Sequence, residues 1–271
     1  MEGQSSTKTE ELLEGERLDD LQINGLFVIQ NRKKFCFGID AVLLGNYAVV
    51  RAGENVLDIG TGTGVIPLLL SAKTEGRHFT GLEVLEESAK MAERSVRLNG
   101  LSDRIDIICG DICRAGEFIE AGSYNVITCN PPYMIYDHGL LNESREKAVA
   151  RHEILCTFDD IAKQSARILK EGGRLYIIHR PFRLADIFES LRRYHLEPKR
   201  MRLVQSYADK EPSMVLMEAV KGGRARLNVE RPLVIYESMN VYTREIYEIY
   251  GKYGNDPLGG TDGPERTEER S

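Results

Sequence analysis

The sequence predicts an α/β fold, a mostly parallel seven-stranded sheet with helices on both faces, preceded by a short N-terminal hairpin and helix. Three observations predict it. Short apolar runs alternate with helical patterns from Asn55 onward, as in strand–helix–strand units whose sheet is covered on both sides. One such run, Asn55-Val56-Leu57-Asp58-Ile59, passes directly into Gly60-Thr61-Gly62-Thr63-Gly64 and then into a helical pattern starting at Val65. Finally, Asp58, Glu83 and Asp111 lie at or just after the ends of successive strand candidates, where open α/β sheets bind their ligands.

The elements follow in order. Met1 to Glu14 is polar and is expected to be a disordered tail, with one domain over residues 15–250 and a second disordered tail over 251–271, rich in Gly, Pro, Glu and Thr. Leu26 to Gln30 and Phe35-Cys36-Phe37 read as a hairpin, and Asp40 to Val50 as a helix. Strands are expected at Val56–Ile59, Phe79–Glu83, Ile105–Cys109, Tyr124–Cys129, Arg174–His179, Arg200–Gln205 and Met214–Val220. Helices are expected from Val65 to Ala72, from Glu86 to Asn99 ahead of Gly100, and from Phe182 to Tyr194. A further helix from Phe158 to Leu169 is expected to stop at Gly172-Gly173, where left-handed geometry is easy.

Composition sets bounds. At 271 residues and 42% hydrophobic, the chain can bury a sizeable α/β core. No apolar run approaches the length needed to span a bilayer, and the polar start lacks the hydrophobic segment of a secretion signal, so a cytoplasmic protein is expected. Five cysteines, an odd number, fit a reducing compartment. Cys109 and Cys113 are four apart, but no suitably spaced histidine or cysteine pair completes a metal site in sequence; they read as core thiols, and no metal is expected. The net charge of −6 argues against indiscriminate nucleic-acid binding, which draws on neutralised phosphates.

Residues Asn130-Pro131-Pro132-Tyr133 close the Tyr124–Cys129 run. Two prolines fix φ and supply no N–H, leaving the Asn130 side-chain oxygen and the Pro131 carbonyl as a rigid pair of acceptors, with the ring of Tyr133 beside them. This suits a planar group bearing an NH2, such as an exocyclic base amine or a side-chain amide. The glycine turn is G-x-G-x-G, with Val65 where a dinucleotide fingerprint needs its third glycine, so a pyrophosphate cradle is disfavoured. The carboxylate of Asp58 would repel a pyrophosphate and attract a sulfonium or ammonium. Glu83 can accept both hydroxyls of a ribose, and Asp111 lies within reach of an adenine amine.

This series resembles the class I S-adenosylmethionine-dependent methyltransferases, whose Rossmann-like fold it implies. By that resemblance S-adenosyl-L-methionine is the cofactor, held by Asp58, Gly60, Thr61, Gly62, Gly64, Glu83, Val84, Asp111, Ile112 and Asn130, with Asn130, Pro131, Pro132 and Tyr133 as the catalytic motif. The flanks resemble a narrower group, the bacterial tRNA (adenine-N6)-methyltransferases that modify the adenine beside the anticodon of a valine tRNA. The carriers are Phe37-Gly38-Ile39-Asp40-Ala41-Val42-Leu43-Leu44-Gly45-Asn46-Tyr47, Ala150-Arg151-His152 and Lys221-Gly222-Gly223-Arg224. That resemblance implies Asp40 near the cofactor's methionine end or the target base, and Arg151 and His152 near RNA. Met134 departs from it, standing where some relatives carry an aromatic residue.

Asn-Pro-Pro-Tyr also occurs in enzymes acting on guanine N2 of ribosomal RNA and on a glutamine amide of release factors, and both stay as alternatives, as does a methyltransferase-like scaffold that binds RNA without catalysis. The stretch before Asp58 is too short and strand-like for the helical N-terminal domain usual in release-factor enzymes. If the partner is tRNA, its phosphates require local positive charge. Arg32, Lys33 and Lys34, with Arg145, Lys147, Arg151 and His152, supply it on either side of the motif. Further arginines from Arg180 to Arg202 add to it, Arg192 and Arg193 reading as an ordinary solvated face.

Overall fold

The computed structural model describes residues 12–31, 37–131 and 156–251. The hairpin pairs β1 (Glu16–Asp20) with β2 (Phe27–Asn31) in antiparallel register. The apolar run expected to pair with residues 35–37 thus takes an upstream partner. That partner is charged, and its alternation is too weak to read as a strand. Residues 32–36 lie outside the described residues, and Phe37 is not in a strand.

The core then alternates as the sequence implies. Its helices on one face are α1 (Ile39–Tyr47), α2 (Val65–Lys73) and α3 (Glu86–Leu98). The first four core strands are β3 (Asn55–Ile59), β4 (His78–Glu83), β5 (Ile105–Cys109) and β6 (Tyr124–Cys129). Glu86 and Glu87 in its first turn favour the α3 N-terminus, and Gly100, at φ +66°, stands just beyond its end. A 3-10 turn (Ile112–Glu117), α4 (Phe158–Ile168) and α5 (Leu184–Arg193) cover the opposite face. Helix α4 opens on a capping box, Thr157 with Asp160.

The long strands β7 (Leu169–His179), β8 (Leu196–Gln205) and β9 (Met214–Lys221) complete a sheet of order β8-β9-β7-β6-β3-β4-β5. Pairings from β5 to β7 are parallel and those of β9 with β7 and β8 antiparallel. Two short strands, β10 (Asn228–Val229) and β11 (Leu233–Val234), extend the sheet beyond β8. Gly172-Gly173 does not end α4. Strand β7 begins at Leu169 and runs through the pair, with Gly172 at φ +73° and a register shift opposite Tyr124 and Val126, so the left-handed residue serves an irregular strand.

Unforeseen in the sequence are a small hairpin of β12 (Tyr236–Ser238) and β13 (Val241–Tyr242) and a final helix α6 (Arg244–Ile249). They pack Ile246, Ile249 and a set of stacked tyrosines, Tyr236, Tyr242 and Tyr250, against the α1 side. The expected tails fall mostly outside the described residues.

Strand β3 sits at the switch point, since β4 and β5 lie to one side of it and β6 and β7 to the other. The crevice at its carboxyl end is where a doubly wound sheet binds ligand. The N-terminal hairpin is clamped to α3. The Asn99 side chain accepts from the Phe27 N–H at 3.0 Å and donates to the Phe27 carbonyl at 2.6 Å, and Arg94 grips Glu16 at 2.6 Å with Nη1 and Nη2.

Candidate active site

The glycine turn leaves β3 with Gly60, Gly62 and Gly64 all at positive φ, +70°, +57° and +88°. A side chain at any of the three would be strained. A Cβ at Gly60 or Gly62 would enter open space, whereas one at Gly64 would meet Ala92 at 3.3 Å. The first two therefore keep room above the strand ends, and the third allows α2 to pack close to α3. Glu83 fixes the turn, its Oε2 accepting the Gly62 N–H at 2.8 Å and its Oε1 accepting the Leu85 N–H at 2.9 Å. Each oxygen has a second lone pair, so a carboxylate held in this way can still accept a pair of vicinal hydroxyls.

Asp58 sits deeper than a strand-end carboxylate would. It is 1% exposed, and its Oδ1 accepts the Thr128 hydroxyl at 2.7 Å from the adjacent strand β6. Burial pushes its pKa up to about 7, with the Thr128 hydroxyl pulling the other way. Its Oδ2 is buried beside the Thr61 hydroxyl, which like that of Thr128 pulls the Asp58 pKa down. A buried carboxyl beneath a glycine turn fits a cationic ligand, whose charge would draw the Asp58 proton off.

Asn130 follows β6 two residues after Thr128 and so points to the same face of the sheet. There its Nδ2 donates to the Asp40 Oδ2 at 3.1 Å. A carboxylate can only accept, so this contact turns the amide oxygen of Asn130 away from Asp40. Asp40 is itself set by the first turn of α1, where its Oδ1 accepts the Ala41 N–H at 3.0 Å. The sequence placed Asp40 near the methionine end or the base only through resemblance; 90 residues separate the two side chains.

A cavity opens beside this pair on the α4 side, lined by Gly60, Val84, Asp111, Ile112 and Pro131 among others. Asp111 caps the 3-10 turn by accepting the Cys113 N–H at 2.8 Å. Of the expected site residues, Gly60, Val84, Asp111, Ile112 and Pro131 line this cavity, while Thr61, Gly62 and Gly64 continue the turn from Gly60, Glu83 holds Gly62, and Asp58 and the Asp40–Asn130 pair lie at β3 and just beyond β6. Pro132, Tyr133, Arg32, Lys33, Lys34, Arg145, Lys147, Arg151 and His152 lie outside the described residues.

Two features were not legible in the sequence. Gln30, fully buried, donates to the Thr63 hydroxyl at 2.7 Å and so ties the N-terminal hairpin to the glycine turn. The only hint was a polar residue closing an apolar run. His179, at the end of β7, lines the same cavity with Arg183. Its Nδ1 accepts the Arg180 N–H at 2.8 Å, and burial with help from the two arginines lowers its pKa to about 4. The ring is therefore neutral at neutral pH with its proton on Nε2.

The cysteines also depart from expectation. Cys109 is exposed and Cys113 half-buried, so neither is a core thiol; Cys129 is. Cys113 meets Cys156 and Asp160 with ligand atoms within 4.8 Å of one another, a grouping that sequence spacing conceals because the tertiary fold makes it. Burial holds both thiols above the usual range, and Asp160 is engaged by the Thr157 hydroxyl at 2.6 Å.

Among the described residues no helix is long and apolar enough to cross a membrane. In fold the chain is similar to a predicted O-methyltransferase from Agrobacterium tumefaciens, with a TM-score of 0.64 and 22% identity, covering 79% of this chain and 96% of that one. Among curated proteins it is similar to the tRNA1(Val) (adenine(37)-N6)-methyltransferase of Phocaeicola vulgatus, 29% identical over 80% of this chain and 90% of that one. The protein of the same name from Porphyromonas gingivalis is 31% identical over 78% and 86%. Residues 39–194, which run from the start of α1 through α5, match the methyltransferase small domain. With its glycine turn, buried acid and Asn130 all within that span, the chain belongs to the methyltransferase small domain family.

Proposed function

We propose that this protein methylates the exocyclic N6 amine of an adenine in tRNA, the adenine beside the anticodon of a valine tRNA, from S-adenosyl-L-methionine. The observation that carries the reading is the Asp40–Asn130 contact, which commits the amide nitrogen of Asn130 to a carboxylate; the amide oxygen and the Pro131 carbonyl are the acceptor types that a planar amine requires. The names of the relatives in Phocaeicola vulgatus and Porphyromonas gingivalis support the same substrate.

The cofactor, when bound, supplies a methyl group on a cationic sulfur. Glu83, preset by two backbone N–H groups, would take the ribose hydroxyls, Asp111 the adenine amine, and Asp58 the positive charge, with Val84 and Ile112 as apolar walls. Asn130 and Pro131 would hold the two N–H bonds of the target amine, whose lone pair is otherwise delocalised into the base, so that it pyramidalises towards the methyl donor. The methylated amine is acidic and its proton can leave to water. The transfer therefore needs no strong base and no metal.

The target base must leave its stack, as in an unpaired anticodon loop. Tyr133 would stack on it. Arg32, Lys33, Lys34, Arg145, Lys147, Arg151 and His152 would form the phosphate-binding surface, His152 as a hydrogen-bond donor. A tRNA substrate places the protein in the cytoplasm. The test is to incubate the protein with methyl-labelled S-adenosylmethionine and unmodified tRNA, and to digest to nucleosides. Label in N6-methyladenosine is expected; label in N2-methylguanosine, or on a glutamine of a protein substrate, would overturn the reading.

A further inference from the structure

The 3-10 turn that follows Asp111 and the start of α4 meet through side chains that the proposed chemistry leaves unused. Cys113 is the second residue of the turn, Cys156 precedes the Thr157 cap of α4, and Asp160 is the third residue of that helix. One ligand atom from each of the three lies within 4.8 Å of the other two. In a tetrahedral zinc site, bonds of about 2.3 Å to sulfur and about 2.1 Å to oxygen put ligand atoms about 3.6–3.8 Å apart. The three groups need to close by roughly an ångström at most to reach that spacing.

Their setting favours a cation. Besides each other and the buried thiol of Cys129, the groups whose charge acts on the two thiols are Asp111 and Asp160, both acidic. Cys113 is in side-chain contact with Cys156 and with Asp111. The Cys156 thiol donates to the Thr157 carbonyl at 3.7 Å, a weak contact that a metal–sulfur bond outweighs. Asp160 is set in place by the capping box, its Oδ2 accepting the Thr157 N–H at 3.0 Å and the Thr157 hydroxyl at 2.6 Å. A carboxylate offers about four lone-pair sites, so the box leaves capacity for a further bond. Cys156 also lines the cavity beside the glycine turn, which gives an ion a way in.

From this convergence we infer that Cys113, Cys156 and Asp160 form a site for a thiophilic divalent cation of the zinc class, which fastens the turn after Asp111 to the N-terminus of α4. Two sulfurs with one carboxylate select zinc over magnesium and calcium, which take oxygen ligands. Coordination replaces two S–H bonds by two metal–sulfur bonds, and both protons pass to solvent. Three protein ligands leave the fourth position to water. A disulfide would also join the two cysteines, but it gives Asp160 no part, and burial with acidic neighbours keeps both thiols protonated and slow to oxidise. The ion takes no part in methyl transfer, so the site stands or falls apart from the substrate reading.

The test uses the full chain, reduced and stripped of metal, titrated with Co2+ as a spectroscopic stand-in for zinc. A thiolate-to-cobalt charge-transfer band should grow to saturation at one ion per chain, and Zn2+ should displace it. The band should vanish in Cys113→Ser and in Cys156→Ser and persist when the exposed Cys109 is replaced by serine. Asp160→Asn should weaken cobalt binding roughly tenfold or more, because even the outer partners of metal ligands are worth that much. In the parent protein, Zn2+ should shield Cys113 and Cys156 from iodoacetamide, read by peptide mass, which tests the site without a substitution that could unfold the chain.

The absence of a saturable band would overturn the site, as would a band that survives both serine substitutions. Parent-like cobalt affinity in Asp160→Asn, or equal alkylation with and without Zn2+, would do the same. Air oxidation to a Cys113–Cys156 disulfide in a protein that gives no cobalt band would overturn it too, and would assign the pair to redox chemistry instead.

Discussion

Asp40→Ala removes the group that sets the orientation of the Asn130 amide, and its cost can be worked from the structure. A hydrogen bond to a charged acceptor contributes about 1.5–3 kcal/mol. The Asn130–Asp40 contact, at 3.1 Å, is long for such a bond, which places it near the lower figure. A loss of about 1.5 kcal/mol in the transition state is a roughly tenfold slower transfer. The same substitution frees the Ala41 N–H in the first turn of α1, a change of about 0.3–1 kcal/mol in stability, too small to unfold the protein. The assay is single-turnover methylation of tRNA at saturating cofactor, with cofactor affinity measured separately by calorimetry. Asp40→Asn retains an acceptor but can also donate, so it should fall between parent and alanine. A folded Asp40→Ala protein that transfers at the parent rate would refute the orienting role. Loss confined to cofactor affinity would move Asp40 to the cofactor's methionine end.

Three further outcomes follow from the same geometry. Asn130→Ala should slow turnover far more than it weakens cofactor binding, because the lost contact is with the reacting amine; equal losses in both would deny it that part. Glu83→Ala should weaken S-adenosylmethionine by roughly 1.5–3 kcal/mol, read by calorimetry, and unchanged affinity would remove Glu83 from the site. Asp58 has a folded pKa of about 7 against 3.8 for an unperturbed carboxyl, so between those values the native protein keeps a proton that the unfolded chain has released. Stability should therefore fall as pH rises through that window and level off above it, cofactor affinity should rise over the same interval, and Asp58→Asn should flatten both. Urea titrations at about pH 5 and about pH 8 check the stability slope, and an equal slope in Asp58→Asn would assign it to another group.

The sheet was legible because each strand announces itself by a short apolar run and a turn, and the glycine turn because three positive-φ residues leave a compositional mark. Reading failed where tertiary context decides. The partner of β2 is the charged stretch Glu16–Asp20, which is held by Arg94 of α3 on Glu16 rather than by its own pattern. Gly172-Gly173 looks the same whether it ends a helix or bends a strand. Small strands such as β12 and β13 are brought together with tyrosines from elsewhere in the chain, Tyr236 and Tyr242 stacking at 5.2 Å. At the site, Asp58 and Glu83 could be found from their places at strand ends. The contacts of Asp40 with Asn130, Gln30 with Thr63 and Cys113 with Cys156 join distant parts of the chain, and no local spacing encodes them.

The most direct test of the central claim is to map the methyl group. Valine tRNA transcript, and a second transcript in which the adenine beside the anticodon is replaced by guanine, are treated with the protein and labelled S-adenosylmethionine, cut with a nuclease and read by mass spectrometry. The account predicts one added methyl on N6 of that adenine in the first transcript and none in the second. Equal labelling of the two transcripts, or label on guanine N2, would contradict it.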